Sequence, residues 1–235
     1  MGCPMGFGEL NIPSSRAFWD DCDEDECPQK SIEKLMFKYE TTEEKLKQFA
    51  SKTKLMFVIE GTAIAEFAEA SLLKNAKKLA EIPSKKSSLH YVANKEMLVA
   101  IVEEDLTNSG EICELLVNLG KPEEVITLTV KPKVDFKSEN IAAIRDEITF
   151  LRAIDGQLNN VDALEAPNFI AGVAAGICSW RSNEGLKVQS YVAYTDNIAL
   201  DSVAAKPIVK LLHDLNIECS DTYNPKTRDD SHLYM

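Results

Sequence analysis

From Lys54 onwards, short apolar runs alternate with amphipathic stretches, and this alternation restricts the possible fold more than any other feature. The run Leu55–Ile59 is continuous and apolar, as a strand covered on both faces requires, and Val125–Val130 is a further strand rich in β-branched residues. Strands that alternate with helices predict an α/β fold, a single domain around a mostly parallel or mixed sheet flanked by helices. A chain of 235 residues is long enough to bury such a core.

The same patterns predict the individual elements. Strands are expected at four further apolar runs, His90–Ala93, Met97–Val102, Ile148–Ala153 and Val188–Thr195. Four helices are expected. The first has Thr62 as its N-cap and Leu79 on its buried side, and the second begins at a capping box formed by Asn108 and Glu111. The third begins at Pro167-Asn168, and the fourth spans Ile208–Leu215 with Pro207 in its first turn. The segment 141–144 is compatible with a helix.

Composition divides the chain into a leader (1–30), an α/β domain (31–220) and a flexible tail (221–235). Six acidic residues and no basic one fall within Asp20–Glu26. Such a segment buries too little apolar surface to offset chain entropy, which predicts a disordered leader. The alternative is an arm that docks on a basic surface through Phe7, Phe18 and Trp19.

Charge and hydropathy exclude several classes of partner. The net charge of −12 opposes binding to nucleic acid, because phosphate contacts require a basic face. The longest apolar stretch without a charge, Ala166–Trp180, is shorter than the roughly 20 residues of a membrane span. No secretory signal is recognised at the start. These features predict a cytoplasmic protein, with nuclear or endoplasmic-reticulum-associated pools as alternatives.

No set of residues typical of catalysis, of a cofactor or of a metal site is found, so the residues by themselves indicate an acidic α/β domain and no particular chemistry. The six cysteines are expected to be free, inert thiols, since Cys113 and Cys178 fall in apolar helical patterns. Gly61-Thr62 is at most a weak anion site, and Asp196 is expected to accept hydrogen bonds from backbone donors in its turn. Gly172 and Gly176 share a helix face that favours packing within the domain over a partner interface.

Both ends of the chain carry more specific information. Leu233-Tyr234-Met235 has the hydrophobic–tyrosine–X form of tails that proteasome activators insert between α-subunits. Together with Phe7-Gly8-Glu9, four internal segments make the chain resemble the proteasome assembly chaperone 1 family: Phe150-Leu151-Arg152-Ala153, Glu165-Ala166-Pro167-Asn168, Tyr194-Thr195-Asp196 and Lys206-Pro207-Ile208. No contact is carried over to Lys131–Asn140, where the chain is shorter than the vertebrate members.

The resemblance implies a non-catalytic protein that forms a heterodimer with proteasome assembly chaperone 2. The pair would bind proteasome α-subunits, promote formation of the α-ring, and block premature binding of caps through the tail. The implied partner-binding residues are Phe7, Gly8, Glu9, Leu233, Tyr234 and Met235. The heterodimer interface is expected on faces near residues 167–215. An α/β enzyme with a cryptic small-molecule site and a proteasome adaptor without an assembly role are the alternatives.

Overall fold

A computed structural model describes residues 35–40, 42–83, 86–138, 146–196, 200–223 and 225. Along these residues the elements follow in the order β1 (Lys38–Tyr39), α1 (Glu43–Lys52), β2 (Leu55–Glu60), α2 (Thr62–Ser71), β3 (Lys77–Ile82), β4 (Ser87–Val92), β5 (Met97–Val102), α3 (Ser109–Asn118), β6 (Glu124–Pro132), β7 (Thr149–Ile154), α4 (Gly172–Asn183), β8 (Lys187–Thr195) and α5 (Lys206–Asp214). The predicted alternation of strands and helices is confirmed.

All eight strands belong to one mixed sheet, in the order β1-β3-β4-β5-β2-β6-β8-β7. The four strands β5, β2, β6 and β8 are parallel, and the remaining pairs on both sides are antiparallel. In the parallel centre Val58 of β2 lies opposite Ala100 of β5 and Thr127 of β6. The predicted single α/β domain with a mixed sheet is therefore correct.

Helices cover both faces of the sheet, which explains the continuous apolar run in β2. Phe57 and Ile59 point into the core under α2 and α5. Met56 and Val58 point the other way, into the core under α1, α3 and α4. All four side chains are buried, because successive residues of a strand face opposite sides of the sheet.

Three predictions about element boundaries are wrong. Leu79 lies in β3, a strand that the periodicity did not reveal, and not on the helix that follows β2. That helix takes Gly61 as its N-cap, with Thr62 as the first helical residue. The helix predicted from Pro167-Asn168 begins only at Gly172. The segment 141–144 lies outside the described residues.

The predicted capping box at the start of α3 does not form, because both of its side chains bind elsewhere. The amide of Asn108 donates to the carboxylate of Asp105 at 2.8 Å, and Asn108 makes no side-chain cap. The Glu111 carboxylate accepts the backbone N–H of Leu35 at 3.1 Å. This second bond places the start of the described chain beside the first turn of α3.

His90 of β4 makes stability depend on pH. Burial lowers the pKa of this imidazole from 6.5 to about 4, with Lys78 adding to the shift and Glu40 opposing it. Its Nε2 lies 2.9 Å from the hydroxyl of Ser88. Below pH 6.5 the imidazole is protonated in the unfolded chain but stays neutral in the folded protein. The free energy of unfolding therefore decreases as the pH falls towards 4.

Urea unfolding at several pH values tests this pH dependence. Between pH 7 and pH 5 we expect the free energy of unfolding of the wild-type chain to fall by about 1 kcal/mol more than that of His90→Gln. This value is smaller than the full pKa shift would give, because the ring is only half-buried and solvent screens part of the effect. Glutamine keeps a hydrogen-bonding amide beside Ser88 but does not titrate. Equal losses in the two proteins would show that another group controls the acid limb.

Candidate functional site

The six partner-binding residues implied by the resemblance lie outside the described residues. Phe7, Gly8 and Glu9 precede Leu35, and Leu233, Tyr234 and Met235 follow residue 225. Their roles therefore stay predictions. Within the described residues, a binding site is expected at the edge formed by the carboxyl ends of the parallel strands, since α/β sheets bind ligands there.

The backbone at the end of β2 is occupied by the protein itself. The N–H of Gly61 donates to the carbonyl of Val102 at 3.0 Å, so it is not available to an anion. The neighbouring carboxylate of Glu60, whose residue is only 1 % exposed, accepts the N–H groups of Val173 and Ala174, each at 2.9 Å. Burial raises the pKa of this carboxyl, while the two backbone bonds oppose the rise.

Gly172 and Gly176 are both used for packing inside the domain. At Gly172 (φ +77°) a Cβ atom would lie 2.1 Å from Oε1 of Glu60, so the glycine makes room for this carboxylate. A Cβ atom at Gly176 would lie 3.1 Å from Sγ of Cys113, where α4 packs against α3. The preference for packing within the domain is confirmed, although the partners are a strand end and a helix.

A groove lies at the carboxyl ends of β6 and β8, and we call it the lysine groove. It has a volume of about 530 Å³ and is lined by Lys131, Val134, Asp135, Lys137, Pro167, Asn168, Phe169 and Tyr194. Val134 is 86 % exposed and Phe169 is 71 % exposed. Two large apolar side chains open to solvent in one groove are typical of a surface that binds a partner.

The walls of the lysine groove are held together by one side chain. The backbone N–H of Lys137 donates to Oδ1 of Asn168 at 2.8 Å. The amide of Asn168 in turn donates to the carbonyls of Lys137 at 2.7 Å and Glu165 at 2.8 Å. The two bonds with Lys137 tie the segment after β6 to the segment before α4, and the bond to Glu165 holds the Asn168 side chain within its own segment.

Tyr194, which lines the lysine groove, belongs to an aromatic cluster. The rings of Phe136, Phe150 and Tyr194 have centroid separations of 4.9, 4.9 and 5.3 Å. The guanidinium of Arg152 lies 5.0 Å from the Phe150 ring and ion-pairs with Glu165 at 3.3 Å. Burial raises the pKa of the Tyr194 hydroxyl. These aromatic and cation–π contacts add packing energy beside the groove.

The lysine groove has more basic than acidic side chains in its lining. Lys131 donates to the carbonyl of Phe169 at 2.9 Å and lies 5.3 Å above that ring. Lys133 ion-pairs with Asp196 at 3.3 Å. Residues 197–199 of the turn after Asp196 lie outside the described residues, so the expectation that Asp196 accepts from backbone donors in this turn stays a prediction. Within the described part of the chain, Lys131 and Lys137 make no ion pair, and Asp135 is the acid that lines the groove with them.

A second groove of about 490 Å³ lies between β7 and α5. It is lined by Glu147, Thr149, Phe150, Leu151, Arg152, Asn160, Val161, Asp162, Lys206, Pro207, Lys210, Leu211 and Asp214. The outer edge of β7 is partly covered, because Ala153 exchanges backbone bonds with Asp162 and Leu164 at 2.9 and 2.8 Å. Acidic and basic side chains both line this groove, so it lacks the excess of positive charge that the lysine groove has.

One cluster resembles a nucleophile with its base, but its geometry is unsuitable. Sγ of Cys219 lies 3.8 Å from Nε2 of His213, and Asp221 binds the same nitrogen at 3.1 Å. A catalytic histidine needs the thiol on one nitrogen and the orienting acid on the other. Burial also raises the pKa of the Cys219 thiol, which disfavours the thiolate.

Three of the six cysteines lie within the described residues. Cys113, Cys178 and Cys219 are free, as predicted. In the described ranges no group of three or more histidine, cysteine or acidic residues is arranged to hold a metal. No helix among these residues has both the length and the apolar character needed to cross a membrane.

Sequence reasoning missed the lysine groove. Lys131, Val134 and Lys137 belong to a segment where no contact was assigned, and Phe169 was placed in a helix. The only available signal was the repeated lysine and apolar pattern of residues 131–137. It could not be interpreted because the partner segment lies some 30 residues further along the chain.

Comparison with known proteins gives matches in structure alone. No family model and no curated protein matches the sequence. The fold is similar to that of Pyrococcus furiosus PbaA, described as an archaeal homolog of proteasome-assembly chaperone, with 16% identity, 70% of this chain and 78% of that chain covered, and a TM-score of 0.52.

Two further solved structures are similar at lower scores. One is Pyrococcus furiosus PbaB, described as an archaeal proteasome activator (14% identity, 72% and 86% covered, TM-score 0.48). The other is a protein of unknown function from Thermoplasma acidophilum (14% identity, 74% and 80% covered, TM-score 0.49). Structural neighbours of this chain thus include homologs of proteasome-assembly chaperones.

Proposed function

We propose that this chain is a non-catalytic assembly chaperone of the proteasome core particle and a member of the proteasome assembly chaperone 1 family. In this proposal it pairs with proteasome assembly chaperone 2 in the cytoplasm, and the pair binds α-subunits and promotes formation of the α-ring. The Leu233-Tyr234-Met235 tail inserts between α-subunits and blocks premature binding of caps. Phe7-Gly8-Glu9 forms a second contact with the ring.

The observation that carries the proposal is the likeness of fold to PbaA, since this likeness extends over most of both chains. At 16% identity it concerns the fold alone, and the same fold can serve other functions. The C-terminal Leu233-Tyr234-Met235 supplies the independent support for a proteasomal partner. The enzyme alternative has no support from the Cys219 cluster, whose two partners compete for one nitrogen of His213.

Tail variants test the proposed mechanism directly. In the inserted state Leu233 and Tyr234 would fill an apolar slot, and the carboxylate of Met235 would pair with a lysine of the pocket. Tyr234→Ala, deletion of Met235 and addition of residues after Met235 should each weaken binding to α-ring intermediates by about tenfold, which corresponds to about 1.4 kcal/mol. Binding is measured with the purified complex of both chaperones.

His232→Ala is the matched control, because it changes the residue just before the proposed motif and keeps the terminal carboxylate in place. It should bind α-ring intermediates like the parent, and all variants should form the heterodimer equally well. If all three tail variants keep the parental affinity, tail insertion is not the mechanism. If the unmodified chain binds neither α-subunits nor the second chaperone, the proposed function itself is wrong.

A pull-down from cells separates the remaining alternatives. An assembly chaperone is found on immature particles and is missing from the active core particle, whereas an adaptor without an assembly role stays on the mature particle. An enzyme with a cryptic site would show no binding to α-subunits at all. Immunoblots for α-subunits and an activity assay of the captured particles distinguish these three results.

A further inference from the structure

We infer that the lysine groove binds a short extended segment of a partner protein in which two acidic side chains flank a large apolar one. The acidic side chains pair with Lys131 and Lys137, and the apolar side chain packs against Val134 and Phe169. The occupant is therefore defined by its chemistry, as an anionic and apolar peptide. This inference rests on the groove alone and does not depend on the function proposed above.

The first support is the balance of charge in the groove. Lys131 and Lys137 line it together with one acidic residue, Asp135. Among the residues that the structure describes, neither of these lysines takes part in an ion pair, whereas the neighbouring Lys133 is paired with Asp196 at 3.3 Å. Two positive charges thus face one negative charge, on a chain whose net charge is −12. Such a local reversal of sign favours an anionic partner and orients it.

The second support is the apolar surface between the two lysines. Lys131, Val134 and Lys137 are spaced three residues apart and all line the groove. The 3₁₀ turn Lys133–Asp135 has three residues per turn, which brings residues at this spacing to the same side. Val134 is 86 % exposed and Phe169 is 71 % exposed. A partner that carries only charge would leave this apolar surface in water, so the occupant also needs an apolar side chain.

The groove is organised before a partner binds. Nζ of Lys131 donates to the carbonyl of Phe169 at 2.9 Å and lies 5.3 Å from the centre of that ring. The side chain of Asn168 accepts from the backbone N–H of Lys137 at 2.8 Å and donates to its carbonyl at 2.7 Å. These contacts hold the segment that carries Phe169 against the segment that carries both lysines, which reduces the conformational entropy lost on binding.

A peptide fits these observations better than a nucleic acid does. A nucleic acid carries one negative charge per nucleotide, so its repulsion by a chain with a net charge of −12 increases with its length. A peptide needs only two charges. In an extended segment alternate side chains point to the same side, so the pattern acidic–x–apolar–x–acidic presents all three groups to Lys131, Val134 and Lys137.

A titration followed by nuclear magnetic resonance tests the inference. The ¹⁵N-labelled full-length chain is titrated with the peptide Gly-Asp-Ser-Phe-Ser-Asp-Gly, blocked at both ends to remove the terminal charges. We expect saturable shifts of the backbone amides of Lys137 and Phe169, with a dissociation constant of about 0.1–1 mM, because the contacts are few. Asparagine in place of both aspartates, or serine in place of phenylalanine, should each weaken binding about fivefold. A short oligothymidine should bind about tenfold more weakly than the peptide.

Val134→Ser and Lys137→Glu are the groove variants, because both side chains are exposed and neither change disturbs a buried contact. Each should raise the dissociation constant about fivefold. Lys210→Glu is the matched control, since it makes the same change of charge on an exposed lysine of α5, beside the other groove, and should leave the dissociation constant unchanged. Far-ultraviolet circular dichroism verifies that each variant is folded.

Four results would overturn the inference. The first is the absence of saturable binding, and the second is a set of shifts confined to parts of the chain outside the groove. The third is an effect of Lys210→Glu as large as that of Lys137→Glu, which would show a response to net charge alone. The fourth is binding of the oligothymidine as tight as that of the peptide, which would indicate a nucleic-acid partner.

Discussion

Replacing Gly172 by alanine is expected to lower the free energy of unfolding by about 3 kcal/mol, because the change strains the backbone and displaces a buried carboxylate. The new Cβ atom would lie 2.1 Å from Oε1 of Glu60, at a φ of +77° that side chains rarely adopt. Glu60 would have to leave the N–H groups of Val173 and Ala174, the two bonds that compensate its burial.

Gly110→Ala is the matched control for this experiment. Gly110 lies in the first turn of α3, is exposed, and would have no atom within 4 Å of an added Cβ. We expect this change to leave stability unchanged or to raise it by up to about 1 kcal/mol, since alanine favours helix. Urea unfolding of both variants provides the measurement. Equal stability of Gly172→Ala and the parent would mean that the carboxylate does not need this space.

A double variant shows where the loss at Gly172 originates. In Glu60→Ala the carboxylate is absent, so adding Gly172→Ala to that background should cost only the backbone strain, about 1–2 kcal/mol. The cost of Gly172→Ala in the parent minus its cost in Glu60→Ala is the coupling free energy between Glu60 and Gly172. Full additivity would contradict the close contact between these residues.

Replacing Arg181 by methionine is the second change with a large expected effect, a loss of about 2–3 kcal/mol. The residue is only 1 % exposed, and its guanidinium donates to the carbonyls of Lys187 at 2.9 Å and of Pro122 and Glu123, both at 3.1 Å. Burial lowers the pKa of this guanidinium. Methionine fills most of the volume, but it leaves three carbonyls without this donor, of which that of Pro122 is buried and the other two are partly buried.

Two opposing terms determine the size of this effect. Removing the buried charge recovers its desolvation cost, whereas the buried carbonyl of Pro122 costs about 1–3 kcal/mol when it loses its donor and the two partly buried carbonyls cost less. We expect the carbonyl term to be the larger. Arg181→Lys is the control, because it keeps the charge but cannot reach all three acceptors, and we expect an intermediate loss. Thermal or urea unfolding gives the values. A methionine variant as stable as the parent would show that water replaces the donor.

The arrangement of the carboxyl edge bears on how the protein is proposed to work. Glu60 already occupies the start of α4, so this helix terminus does not attract an outside anion. The lysine groove is left as a cationic and apolar surface on a chain whose net charge is −12. Interaction through surfaces and chain ends is consistent with the proposed chaperone role, in which no chemical step is required.

Much of the fold could be predicted from the sequence, because it depends on local hydrophobic patterns. The continuous apolar run of β2 indicates a strand covered on both faces, and the sheet confirms this. The apolar stripe of α5, with Pro207 in the first turn, likewise predicted a helix that the structure confirms. By contrast β3 begins with Lys77-Lys78 and lies near the edge of the sheet, so its pattern did not indicate a strand.

The features at the carboxyl edge were decided by tertiary structure alone. Glu60 and Gly172 are more than 100 residues apart, and each looks ordinary in its own segment. Asn108 and Glu111 have the spacing of a capping box, yet the Glu111 carboxylate binds the N–H of Leu35, 76 residues away, which only the folded chain brings close. Asn108 binds Asp105, a local competitor three residues before it. The lysine groove likewise needs two segments that meet only after folding. Periodicity reports which face of an element is buried, whereas contacts between distant residues depend on how the elements pack together.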